Sequence, residues 1–194
     1  MTVPPTPRLF TFAAGPTGTW TVTRTRAVTG ESLPQAPALD VVADGPGPVN
    51  GQPVGLNGET WRLRGIVSNE RYVERVEKDA LVARQEGLGR AACTRAALIP
   101  IRKNAAWWAL TQDERRDVFE AQSRHIAIGM RYLPAIARRL HHCRDLGAAE
   151  PFDFLTWFEF TPDDAGAFED LVGLLRASPE WRFVDREVDI RASR

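Results

Sequence analysis

The chain has 194 residues, 43% hydrophobic and 26% charged, a balance that excludes a disordered or fibrous protein and allows a core without disulfides or structural zinc. Its 25 basic and 25 acidic side chains cancel, which argues against nucleic acid or an anionic membrane surface as the main partner. Two cysteines, Cys93 and Cys143, with no paired spacing exclude a zinc framework and suit a reducing compartment. No apolar signal core stands at the start and no run of about eighteen apolar residues occurs, so a cytoplasmic location is expected.

Residues 9–14 and 18–28 read as two short strands around the turn Gly15-Pro16-Thr17-Gly18, the second alternating Trp20, Val22 and Arg24 with threonines. Residues 30–58 are rich in Pro and Gly and predict a surface loop with at most one short strand, near 39–43. Trp61, Leu63, Gly65 and Val67 alternate with Arg62 and Arg64 as a strand. A helix over 72–85, capped by Ser68 or Asn69, and a second strand over 92–102 follow. Thr111-Gln112-Asp113-Glu114 is a helix-start signal, and apolar spacing predicts helices to about 123 and over 126–140, the latter bent at Pro134. Residues 152–160 predict a strand, and Thr161-Pro162-Asp163-Asp164 a helix start. Phe168, Leu171, Val172 and Leu175 form one helical stripe, and 181–190 a last strand. Two strand–helix–strand units separated by a helical insertion predict an α+β, ferredoxin-like antiparallel sheet. On this reading residues 59–194 are the main domain, and residues 1–58 a reduced first unit of short strands and loop.

The three histidines and Cys143 fall within 104–159. On a helix, His141, His142 and Cys143 diverge by about 100° per step, so they cannot share one metal and read as structural. His125 precedes an apolar helix in an Arg- and Trp-rich region. That suits an axial haem ligand, although a structural histidine is the commoner case for such a position. Arg138 has Pro134 and His142 at i−4 and i+4, hence no helical carboxylate partner. On a straight helix it would lie about 20 Å from His125 on another face, so a shared ligand requires the chain to turn, and Pro134 is where it could. The residues alone reach a soluble α+β domain with a possible histidine-based site.

Several runs resemble the haem-dependent chlorite dismutase family. They are Ala96-Ala97-Leu98-Ile99-Pro100-Ile101-Arg102-Lys103, the pair Trp107-Trp108, Thr111 to Arg116, His125, Tyr132 to Arg138, and Phe152 to Glu159. The resemblance spans about 61–190, and the short N-terminal part points to the family's compact branch. It implies a dimeric α+β barrel fold with haem b between sheet and helices, and chlorite as the substrate. His125 would then be the iron ligand, Glu180 the acceptor of its other ring N–H, Arg138 the distal cation and Gln85 the residue that holds it. Trp107, Trp108, Ile101 and Lys103 would bind the haem, the two tryptophans lying beside it and at the nearby subunit contact. The implied reaction turns chlorite into chloride and dioxygen through an oxo-iron species and hypochlorite, in a homodimer. His141 stands where the family pattern has a tyrosine, outside those roles. Two alternatives are a coproheme decarboxylase on the same scaffold, which usually carries glutamine at the position of Arg138, and a haem-binding or sensing protein without turnover.

Overall fold

The computed structural model describes residues 9–43, 58–147 and 150–194; residues 1–8, residues 44–57 of the Pro/Gly-rich stretch and residues 148–149 lie outside the described residues. Among the described residues eight strands carry the fold: β1 (Leu9–Gly15), β2 (Trp20–Thr29), β3 (Ala38–Ala43), β4 (Trp61–Val67), β5 (Arg95–Lys103), β6 (Ala137–His142), β7 (Phe154–Phe160) and β8 (Val184–Ser193). They close a barrel in the order β1-β3-β2-β8-β5-β7-β6-β4, with β1 pairing back onto β4, and the pairings are antiparallel. The barrel draws strands from both sides of residue 58. The turn expected at 15–18 does not make a simple hairpin, because β3 sits between β1 and β2.

The ferredoxin-like unit is the run β8-β5-β7-β6, a β-α-β-β-α-β order built by two crossovers. One crossover, from β5 to β6, holds α2 (Ala105–Ala109), α3 (Gln112–Arg116), a π-helical stretch Asp117–Gln122 and α4 (His125–Met130). The other, from β7 to β8, holds α5 (Ala165–Arg176). The expected division therefore changes: residues 105–130 are a crossover, not an insertion. The cause is β6. Residues 126–140 have helical apolar spacing, but α4 stops at Met130 and Pro134 sits in the turn that follows, where its missing N–H costs nothing. From Ala137 the backbone instead pairs with β7, with Arg138 opposite Phe158 and His142 opposite Phe154. Pairing with β7 overrides the local period.

Sheet curvature puts one face of each strand inside the barrel, where Phe12, Leu39, Leu98, Leu155, Trp157 and Ile190 pack. The outer face of β5 and β7 packs Ile99, Ile101, Phe158 and Phe160 against Phe168, Leu171, Val172 and Leu175 of α5, the expected stripe. With both faces covered, β5 reads as a nearly continuous apolar run. The helix α1 (Arg75–Arg84) begins later than expected. Glu74 and Glu77 form its capping box, while Ser68 accepts from Arg71 and Asn69 from the Leu140 N–H. Its buried side is Leu81 alone, and Val76 is 70% exposed.

Strand alternation, not helical divergence, separates the histidines of β6. His141 is fully buried in the barrel, edge-on to Phe10 and Phe12, and donates from Nδ1 to the Leu155 carbonyl at 3.1 Å. Burial pushes its pKa down to about 4, so it is neutral and accepts from Arg139 at Nε2, 3.0 Å away. His142 faces the other way, against Trp108 and Phe154. Gly65 on β4 makes this packing possible, because a Cβ there would meet the His141 Cβ at 2.6 Å. Gly65→Ala is expected to destabilise the fold by about 1–3 kcal/mol through overpacking, read as a lower denaturant midpoint.

Candidate active site

The β5–β6 crossover delivers His125 to the sheet. After the π-helical stretch, Arg124 adopts φ +53°, an uncommon left-handed conformation for a residue with a side chain, and α4 starts at His125. The Glu120 carboxylate accepts from the Ile126 and Ala127 N–H groups at 2.6 and 3.3 Å, satisfying the free donors of that helix start with a negative charge. Phe119 stacks on the imidazole at 4.3 Å between centroids. These contacts fix the ring from one side.

From the other side comes Glu180, in the 3₁₀ turn Pro179–Phe183 that leads into β8. Its Oε2 lies 2.8 Å from Nδ1 of His125, its Oε1 accepts from Nζ of Lys103 at 2.7 Å, and its N–H donates to Ser123 Oγ at 2.8 Å. Glu180 and Lys103 are both buried, and the Lys103 ammonium also sits 4.6 Å from the Trp107 ring centroid. Burial pushes the Glu180 carboxyl up, but the charges and hydrogen bonds of Lys103 and His125 outweigh it and hold the pKa at about 2. The ionised carboxylate keeps the imidazole proton on Nδ1. Nε2 is then an unshared lone pair, with no hydrogen-bond partner among the described residues.

His125, Glu180, Lys103, Trp107, Ile101 and Arg138 line one cleft between the outer face of the sheet and the helices. It encloses about 1120 Å³ of empty space, counting its open mouth. Arg138 and Leu140 reach it from β6 by strand alternation. The Arg138 guanidinium makes no hydrogen bond or ion pair among the described residues, and burial lowers its pKa. It stays charged all the same, as arginine does. A shielded cation without a partner is costly to keep, and a small anion arriving beside it removes that cost.

Two expected roles need correction, those of Gln85 and Trp108, and Lys103 has a second role. Gln85 Nε2 donates to the backbone carbonyl of Arg138 at 2.9 Å, so it anchors the strand and does not clamp the guanidinium. Lys103 spends its ammonium on Glu180, so it acts behind His125 as well as lining the cleft. Trp108 lies outside the cleft, stacked on Phe154 at 6.2 Å with the Arg144 guanidinium 4.0 Å over its ring.

The family model described as chlorite dismutase matches residues 58–194. The chain belongs to the chlorite dismutase family. It is 54% identical to a dimeric chlorite dismutase from Nitrobacter winogradskyi, with a TM-score of 0.84 over 95% of this chain and 99% of that one. A chlorite dismutase from Candidatus Nitrospira defluvii in complex with imidazole is 25% identical, with a TM-score of 0.58 over 71% of this chain and 56% of that one. The curated chlorite dismutase of Ideonella dechloratans is 35% identical over 88 residues, 45% of this chain and 28% of that relative's length. Among the described residues no helix is long and apolar enough to cross a membrane.

In this chlorite dismutase family member, several contributors to the site escaped the sequence reading. Ser123, Glu120 and Phe119 hold His125 and Glu180, while Trp181 and Tyr72 line the cleft. Glu120 was the most accessible of these, since an acidic residue just before an apolar helix is a helix-start signal. Tyr72, which apolar spacing puts in a helix over 72–85, has φ +64° and precedes α1.

Proposed function

We propose that this chain is a haem b-dependent chlorite dismutase, converting chlorite to chloride and dioxygen as a homodimer. The observation that carries this reading is that two groups line one cleft: a histidine lone pair backed by an ionised carboxylate, and an arginine unpaired among the described residues. Likeness to a dimeric chlorite dismutase along nearly the whole chain supports both the activity and the assembly.

The residues fit haem. Trp107 Nε1 and the Tyr72 hydroxyl are buried, line the cleft and have no hydrogen-bond partner among the described residues, which suits a ligand bearing acceptor groups. Ile99, Ile101, Ile136, Phe158 and Leu171 offer a broad apolar surface for a large flat ring. His125 would hold the iron through Nε2, and the described residues hold no competing cluster of metal-ligating side chains.

Bound haem supplies the redox chemistry that cleaves the Cl–O bond and joins two oxygens. Glu180 keeps the proton on Nδ1 of His125 and makes Nε2 more basic, which favours an electron-poor iron. Arg138 would attract chlorite and hold the chlorine-bearing anion within the cleft. Chlorite contains every atom of chloride and dioxygen, so no outside proton or reductant enters, and a cation that never deprotonates is well suited to the task. The apolar walls keep water away from that exchange.

The test is an oxygen electrode with purified, haem-loaded protein and added chlorite. Rapid oxygen release at low enzyme concentration is expected. A normal Soret band without oxygen release would overturn the reading and leave coproheme decarboxylation or passive haem binding.

A further inference from the structure

Arg138 is approached from two directions. Beside the main cleft lies a side cavity of about 710 Å³ of empty space, counting its mouth, and the two share Asn69, Val73 and Arg138. Arg138 and Gln85 line the inner part, and Leu81 and Val82 of α1 form a wall. The outer rim carries Lys78, about a third exposed, and Glu70, nearly two-thirds exposed, joined by an ion pair of 2.6 Å. Glu86 is the other acid on the cavity wall, and Arg90 neutralises it at 2.6 Å. The wall thus has two cations for an anion, Lys78 outside and Arg138 inside, and one acid that competes for the outer cation.

We propose that this side cavity is the path by which a small anion reaches Arg138, and that the Glu70–Lys78 pair is a charge gate at its mouth. The proposal rests on the haem-dependent reading above. Glu70 repels the approaching anion and occupies Lys78. An exposed pair of this kind holds weakly and reopens readily, so an arriving anion displaces Glu70 from Lys78 and passes inward to the unpaired guanidinium. The gate selects by charge: a neutral molecule of similar size passes without engaging either residue.

Stopped-flow binding to haem-loaded protein tests this without turnover. The anion probe is nitrite, a bent triatomic monoanion like chlorite, and the neutral probe is imidazole at pH 8, where it is largely uncharged. At low ionic strength Lys78→Gln is expected to slow nitrite association by about two- to tenfold, and Glu70→Gln to speed it by a similar factor. Both differences should shrink toward nothing near 1 M salt, where charges are screened beyond about 3 Å. Imidazole association should be the same in all three proteins. Equal nitrite rates in the three, or imidazole rates that move in step with them, would overturn the gate and leave the proposed function standing. Failure of the unsubstituted protein to take up haem or to respond to nitrite would overturn the haem-dependent reading, and the gate with it.

Discussion

Glu180→Gln is expected to lower stability by about 3–5 kcal/mol and haem affinity by about 10–100-fold. The buried carboxylate bridges the buried Lys103 and the partly exposed His125, and the amide leaves the Lys103 ammonium buried with no opposite charge. Removing both charged partners is milder than removing one, so Glu180→Gln combined with Lys103→Met should recover part of the lost stability in urea titrations. If the double variant proves no more stable than the single one, the unpaired ammonium is not the source of the loss. The same residue sets a pH dependence. Its carboxyl pKa falls from an ordinary 4.5 to about 2 on folding, so the stability it contributes is complete above pH 4.5 and is lost as pH falls through about 2. That loss amounts to roughly 3 kcal/mol. Between pH 4.5 and 2 the unsubstituted protein should therefore lose stability toward the variant, and parallel curves would refute the assignment.

Arg138→Ala is expected to separate function from stability. The guanidinium has no partner among the described residues, so its loss breaks no ion pair. The thermal midpoint should fall by no more than a few degrees, and haem uptake should persist because His125, Glu180 and Lys103 are untouched. Retention of the chlorine-bearing anion should suffer. A charge-assisted hydrogen bond contributes about 1.5–3 kcal/mol, or roughly 10–100-fold in retention. The variant should complete that many fewer turnovers before its haem bleaches, and free hypochlorite should be trapped by a chlorination assay. Undiminished durability in the variant would remove Arg138 from the retention role. A Lys in its place restores charge without the planar fork of donors, so Arg138→Lys should fall between the two.

The ease of reading differed sharply along the chain. The Thr111–Glu114 capping box, the apolar stripe of α5 and the alternation of β4 were legible because each signal is complete within one turn or one strand. His125 was legible as a candidate by type, and as a ligand only through resemblance. Residues 137–142 form a strand although their apolar spacing fits a helix, and nothing local announces β7 as a pairing partner. The start of α1 was misplaced for a related reason: Ser68 and Asn69 look like caps, yet their oxygens are taken by Arg71 and by the distant Leu140 N–H.

By itself the sequence determined the α+β class, most strands, the helix α5 and the residue types able to hold a haem. Those properties follow from backbone preference and side-chain period, which act over a few residues. Tertiary structure alone decided that β6 is a strand, and so that Arg138 reaches the same cleft as His125. It also decided that Lys103, 77 residues from Glu180, is the buried cation that keeps that carboxylate ionised. Such facts depend on which distant segments share a desolvated space, where charge and pairing energies are largest, and a linear pattern carries no record of that.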